Sequence, residues 1–337
     1  MNATEPSIRP TVEASPPPDV QAHRLRNASR VLGVWLAVFL LLVMSAILSP
    51  ASVQPGHLLD VLRQAGGLGI VATGQTLVIL IGGLDLSVGA QITMVDVVAS
   101  NILNGSDQML IPVVLLCLAL CAVVGLVNGL IIVGRRVPPF IVTLGMLSVV
   151  QGATFVYTGG APRGATSPTL RFIGSGHVGT IPTALFFWAV VAGVGLIVLH
   201  RTVYGRYLYA IGGNSRAARL SGISVGRIIL SVYIVSALLA GVAGLVLAGY
   251  IGTGSLTLGD SYTLNSVAAA VVGGTAFEGG RGGLGGTIAG ALLLQLLFSL
   301  LAVLNMPYSG QLIAQGLIIA GAVALYTSRK GGGGAAE

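Results

Sequence analysis

From Val31 to Thr327 this chain alternates long apolar stretches with short connections that carry most of its charge. Each stretch is close to the roughly 20 residues an α-helix needs to cross a hydrocarbon core. Lipid offers the backbone no hydrogen bonds, so a spanning segment must satisfy its own amides and carbonyls, as a helix does. The spans read as 31–49, 59–81, 87–103, 109–133, 140–157, 182–200, 226–251, 261–274, 286–303 and 311–327, which makes ten helices. Charged residues are only 8% of the chain, against roughly 25% in soluble domains. Mean hydropathy is +0.92. An all-α polytopic membrane protein is expected, with no connection long enough for a folded soluble domain.

Residues 1–30, rich in Pro, Ser and charge, read as a disordered cytoplasmic tail. Residues 31–328 read as one transmembrane domain, and 329–337 as a second cytoplasmic tail. The run Val31–Leu48 is longer than the apolar core of a signal peptide and follows a long tail, so it reads as an uncleaved anchor. With the N-terminus inside, ten spans return the C-terminus inside. Fourteen basic residues then lie in the cytoplasm: Arg9, Arg24, Arg26, Arg30, Arg135, Arg136, Arg201, Arg206, Arg216, Arg219, Arg227, Arg281, Arg329 and Lys330. Arg63, Arg163 and Arg171 lie outside. That asymmetry follows the positive-inside rule.

Sixteen of the 17 basic residues are arginine, and the single lysine, Lys330, is followed by Gly331. A P-loop needs Gly-x-x-x-x-Gly-Lys-Ser/Thr, so the chain carries no such ATPase site. Nor does it offer a Schiff-base lysine in a folded region. His23, His57, His177 and His200 are scattered and form no metal-ligand set, and no catalytic constellation or cofactor site is evident. Cys117 and Cys121 share a helix face and read as small buried hydrophobes. The charge of +7 is a topology signal and gives no reason to expect a nucleic-acid partner.

Four features carry functional readings. The connection 201–226 is the one sizeable cytoplasmic loop; Ser215–Ser221 reads as a short basic helix with Asn214 as N-cap and Gly222 as C′ glycine. The segment Gly82-Gly83-Leu84-Asp85-Leu86-Ser87-Val88-Gly89 breaks a helix, with Asp85 or Ser87 capping the next one; a broken helix lining a pathway is the other reading. Gly273 to Gly286 contains a Gly-x-Gly-x-x-Gly without the strand context of a nucleotide site, and reads as a tight turn through Gly273, Gly274, Glu278 and Arg281. Finally, polar residues inside spans are costly and point to a pathway. Thr93, Asp96 and Ser100 form one stripe; Gln75, Gln91, Asn101, Asn128, Gln151, Thr154, Asn265, Gln295 and Gln315 add groups suited to a neutral polyhydroxylated solute, with Asp96, Gln75, Asn101, Asn128, Gln151 and Asn265 the foremost pathway candidates. Interhelical hydrogen bonding is the plainer account of any one of them. Gly125 with Gly129, Gly286 with Gly290, and Ala240 with Gly244 and Ala248 have the spacing of close helix contacts.

Taken together, GGLDLSVG (82–89), GLVNG (125–129), PPFIVTLGM (138–146), GRYLYAIGGNSRAARLSGI (205–223) and VVGGTAFEGGRGGLGGTIAGALL (271–292) closely resemble the permeases of ribose-type monosaccharide ABC importers, in the branched-chain amino acid/ribose permease superfamily. The likeness runs from about residue 35 to 328. It implies a fold similar to the vitamin B12 importer permease, in a bacterial cytoplasmic (inner) membrane. It implies three kinds of protein partner: a separate ABC ATPase, a second permease subunit, and an extracytoplasmic sugar-binding protein. Carried over by motif, Gly205, Arg206, Gly213, Asn214, Ala218, Arg219 and Gly222 would form the coupling helix that enters the ATPase groove. Family members often have an acidic residue just after the Asn; here Ser215 and Arg216 follow. The resemblance does not name the sugar. Permeases for branched-chain amino acids or nucleosides share the architecture. A secondary sugar carrier or a membrane enzyme would need paired ionisable groups or a catalytic cluster, and neither stands out here.

Overall fold

A computed structural model describes residues 20–331; residues 1–19 and 332–337, including most of both expected tails, lie outside the described residues. Among the described residues there are thirteen helices and one two-stranded hairpin. Helices α1 (Val20–Leu48), α2 (Pro55–Leu80), α3 (Val88–Leu103), α4 (Leu110–Arg135) and α5 (Pro139–Thr158) come first. They are followed by α6 (Pro168–Ser175), α7 (Thr183–Arg201), α8 (Val203–Gly213), α9 (Ser215–Leu220) and α10 (Val225–Ile251). Last come α11 (Asp260–Val272), α12 (Leu284–Val303) and α13 (Tyr308–Gly331). Five of them, α4, α5, α7, α10 and α12, are long and apolar enough to cross a membrane, so the chain is an all-α polytopic membrane protein.

Most expected spans are met within a few residues, because apolar runs bounded by Gly and Pro leave little freedom in where a helix ends. Three differences are informative. Helix α1 begins at Val20, so the segment 20–30, expected to be tail, is helical backbone. The connection after α5, in which the sequence signals no element, is structured. It holds α6, capped by Ser167, whose hydroxyl accepts from the Leu170 amide at 3.3 Å, and a hairpin of β1 (His177–Val178) and β2 (Ile181–Pro182). The connection 201–226 holds two helices instead of one, because Thr202 caps an additional helix, α8, by accepting from the Gly205 amide.

Helix α10 is the axis of the fold and packs against α2, α3, α4 and α6. Small residues set these distances. A Cβ at Gly125 would sit 2.5 Å from the Tyr233 carbonyl, and one at Gly244 2.9 Å from Val95, which brings α4 and α3 close to α10. Between α11 and α12 the approach is tighter still: a Cβ at Gly286 would lie 1.7 Å from the Gly273 carbonyl oxygen. The largest core cluster lies among α2, α3, α7, α10, α11 and α12. Cys117 and Cys121 are buried against α3 and α10 in a second cluster and are not bonded to each other.

Connections that an alternating topology puts on one side of the membrane touch one another. Gly105 donates to the Ala165 carbonyl at 2.8 Å and Thr166 to that of Gly252 at 3.0 Å. Thr169 donates through its amide and hydroxyl to Asp107. Hydrogen bonds from Ser167 and Thr169 hold the Asp107 carboxyl below its ordinary range. At the other end Gly280 donates to the Leu80 carbonyl at 2.9 Å and Tyr209 to that of Gly282 at 2.9 Å.

Gly286→Ala should lower the thermal midpoint of the detergent-solubilised protein, since overpacking a tight seam costs about 1–3 kcal/mol. Gly193→Ala, whose Cβ meets nothing within 4 Å, should leave it unchanged or raised. Differential scanning fluorimetry on both variants checks the seam.

Candidate functional site

Between α2 and α3 the backbone leaves helical geometry at Gly82, with φ +77°, and the segment that follows is buried. Asp85 and Ser87 are both fully buried. One Asp85 carboxylate oxygen accepts from the Ser87 amide at 3.1 Å and from the Ser87 hydroxyl at 2.6 Å. The other accepts from Ser236 of α10 at 3.1 Å. Asp85 thus caps the amide end of α3, while Ser87 makes no cap of its own. The Ser87 oxygen instead accepts from Gln91 at 3.0 Å and from Asn128 of α4 at 3.1 Å. Gln75 of α2, with its amide oriented to match its partners, donates to the Asp85 carbonyl at 3.1 Å and accepts from the Asp85 amide at 3.3 Å. The Leu84 carbonyl accepts from Thr143 of α5 at 3.2 Å. Elements α2, α3, α4, α5 and α10 therefore meet in one polar knot. A break in helical hydrogen bonding needs such partners where water is absent.

The stripe on α3 does similar work at the other end. Asp96 accepts from the Ser255 amide at 2.8 Å and from Ser100 at 3.4 Å. Thr93 accepts from the Gly259 amide at 3.0 Å. Both thereby hold the connection between α10 and α11.

The seven residues expected to form a substrate pathway are not brought together. Gln75 and Asn128 belong to the knot, and Thr93 and Asp96 to the α10–α11 connection. Asn101 is exposed and donates to the Tyr157 hydroxyl at 2.8 Å. Gln151 is half-buried on α5. Asn265 lines a cavity of about 190 Å3 walled also by Gln64, Gln295, Gln311 and Gln315. Gln64 and Gln311 do not stand out in the sequence, because both lie near the ends of their spans, where a polar residue is unremarkable. The usable signal is the recurrence of glutamine on three separate helices. Gly273, Gly274, Glu278 and Arg281 lie in the α11–α12 turn, closed by the Ala276 amide donating to the Arg281 carbonyl at 2.9 Å. Gly89 lies against Gly259, whose carbonyl oxygen would be 2.5 Å from an added Cβ.

The second candidate surface is the elbow of α8 and α9. Asn214 accepts from the Arg216 and Ala217 amides, both at 3.0 Å, and Gly222 takes φ +81°. Ala218 is buried beside Ile211 and Val225, which anchors α9, while Arg206, Gly213, Arg216 and Arg219 are exposed. Leu220 is 83% exposed. At its base, glycines bring three connections into backbone contact. A Cβ at Gly212 would lie 1.9 Å from the Leu80 carbonyl and 2.3 Å from the Gly280 amide; one at Gly279 would lie 2.8 Å from the Gly82 amide. Gly205 is equally confined, with the Leu199 carbonyl 2.2 Å from an added Cβ. The exposed elbow is thus in direct contact with the segment that leads into the Asp85 knot.

Comparison with known proteins shows the family to which the chain belongs. The family described as "Branched-chain amino acid transport system / permease component" matches residues 57–324. The chain is 38% identical to the ribose import permease protein of Bacillus subtilis (strain 168), over 87% of this chain and 92% of that one. It is 33% identical to the fructose import permease protein of Rhizobium meliloti, over 90% and 86%. The galactose/methyl galactoside import permease protein of Escherichia coli (strain K12) is also 33% identical, over 87% and 93%. No solved structure matches the chain.

Asp96→Ala should free the Ser255 amide, since a hydrogen bond to a charged group is worth about 1.5–3 kcal/mol. Hydrogen exchange at Ser255, read by mass spectrometry, should speed up by roughly tenfold or more; an unchanged rate would show that the carboxylate does not hold the connection. Asp85→Ala should cost more, by leaving Ser87 and Ser236 unpaired in the core, and should reduce the yield of monodisperse protein well below that of Asp85→Asn.

Proposed function

The chain belongs to the branched-chain amino acid transport system / permease component family, and from that premise we propose that it is the transmembrane permease subunit of an ATP-binding cassette importer. It moves a monosaccharide, a ribose-like sugar or polyol, into the cytoplasm by alternating access. The observation that carries the reading beyond the family is that the buried carboxylates among the described residues already have partners. Among the described residues the buried carboxylates are Asp85 and Asp96, and both accept hydrogen bonds from the protein itself. An α-amino acid would want counter-charges for its ammonium and carboxylate. A neutral polyol needs only amides and hydroxyls, which both donate and accept. Sugar import permeases among the relatives support the same choice over branched-chain amino acids or nucleosides.

The finer assignments belong to the same proposal. The subunit has ten membrane spans, namely α1–α5, α7 and α10–α13, in a fold like that of the vitamin B12 importer permease. It works in the inner membrane with both termini cytoplasmic, residues 31–328 forming the permease domain and 201–226 the coupling loop. Two permease subunits pair with an ABC ATPase, and an extracytoplasmic binding protein delivers the sugar. ATP hydrolysis lies on the ATPase chain, in keeping with the lack of a P-loop lysine. Helix α9 enters the ATPase groove with Arg216, Arg219 and Leu220. Gly205, Gly213, Asn214, Ala218 and Gly222 hold its shape. Movement of the groove then reaches the α2–α3 break through the contacts of Gly212 with Leu80 and Gly280.

In proteoliposomes holding the permease and its ATPase, supplied with binding protein, uptake of D-ribose, D-fructose or D-galactose should require ATP on the ATPase side and should resist a protonophore. Uptake by this chain alone, driven by a proton gradient, would overturn the reading. Leu220→Glu and Arg219→Glu should each weaken ATPase association by about 2 kcal/mol, roughly 30-fold, as expected for a central anchor. Co-purification at graded concentrations measures it, with correct insertion checked by size-exclusion chromatography.

A further inference from the structure

The Asp85 carboxylate is taken up by Ser87 and Ser236, and the α3 stripe is occupied by the α10–α11 connection. The amide-lined cavity differs from both. It lies between α2, α11, α12 and α13 and contains no charged lining residue. Five carboxamides reach its wall: Gln64, Asn265, Gln295, Gln311 and Gln315. Gln295 donates to the Gln64 oxygen at 2.8 Å, which ties α12 to α2. Gln311 is steadied by donating to the Met306 carbonyl at 3.1 Å.

Asn265 is the telling member. It is only 9% exposed, and its side-chain oxygen has no hydrogen-bond partner among the described residues. A buried acceptor left unpaired is costly, so its presence on a cavity wall calls for a donor from outside the chain. The aromatic side chain of Phe298 lines the same space and offers an apolar face beside the amides. A polar ring with one less polar face is complementary to that combination. The volume of about 190 Å3 is below the ~300–1,000 Å3 of sites for drug-sized ligands and suits a single small ring.

Position also matters. Ser261 and Gln311, near the start of α11 and α13, border the cavity, so it lies toward the membrane face that carries the α10–α11 and α12–α13 connections. The same face carries α6 and its hairpin, whose connection touches the α10–α11 connection at Ala165 and Thr253. In the topology proposed above this is the extracytoplasmic face.

We propose that this cavity is the outward-side solute subsite of the permease, and that Asn265, Gln64, Gln295, Gln311 and Gln315 select a neutral polyhydroxylated solute of monosaccharide size. The subsite rests on the importer reading above. It assigns solute selection to these amides and a structural role to Gln75 and Asn128.

The test uses the complete importer in proteoliposomes, with whichever of D-ribose, D-fructose and D-galactose the unaltered complex takes up. Asn265→Ala and Gln295→Met should raise KM for uptake tenfold or more in complexes that assemble with the ATPase. An unchanged KM in either assembled variant would overturn the subsite while leaving the importer reading intact. If the unaltered complex transports none of the three sugars and needs no ATP, the importer reading fails, and the subsite with it. Thiol protection provides a second readout that does not depend on transport. Because Cys117 and Cys121 are buried, Gln311→Cys offers one accessible thiol, and its labelling by a membrane-impermeant maleimide should slow at least threefold with saturating sugar. Labelling at the same rate with and without sugar would overturn the proposal.

Discussion

The carboxylate of Asp85 sits where two helices stop and start inside a protein that has no water to spare. A chain in lipid must pair every backbone amide and carbonyl, and a helix break creates several unpaired at once. Asp85 takes the Ser87 amide and hydroxyl on one oxygen and Ser236 on the other, while Gln75 engages its backbone. Five elements converge because each supplies at least one bond to the break or to Ser87. The positions of α2, α3, α4, α5 and α10 relative to one another follow from that demand.

The knot is joined to the elbow of α8 and α9 through the start of the α2–α3 break. Gly82, Gly212, Gly279 and Gly280 allow backbone to meet backbone where any side chain would intervene. Backbone contacts are stiff, so displacement of the elbow is passed to the helix break instead of being absorbed by rotamer changes. At the opposite end Asp96 and Thr93 hold the α10–α11 connection, next to the amide-lined cavity. The polar groups of the interior therefore fall into two kinds. Those bonded from one helix to another shape the fold, and those facing a void can receive a solute.

Helix positions are legible in the sequence because hydropathy and length act locally. The Asn214 cap and the Gly222 terminus are equally legible, since capping depends on neighbours within a few residues. Helices α6 and α8 escape such a reading for a matching reason. Both are short, and α8 begins directly after α7, so its apolar residues merge with the connection. The grouping of the pathway residues is not legible either. Gln75, Asp96, Asn128 and Asn265 look alike as polar residues in apolar spans; the side-chain oxygens of Asn128 and Asn265 both lack a partner, and what separates the two is that Asn128 donates to Ser87 while Asn265 lines a cavity.

By itself the sequence determined that this chain crosses a membrane many times and where its helices run, because these follow from composition and length. The tertiary structure decided which polar residues are already spent and which face a cavity. That distinction depends on hydrogen bonds between residues far apart in the chain, Asp85 with Ser236, Asp96 with Ser255 and Gln64 with Gln295, whose pairing exists only once the helices have packed.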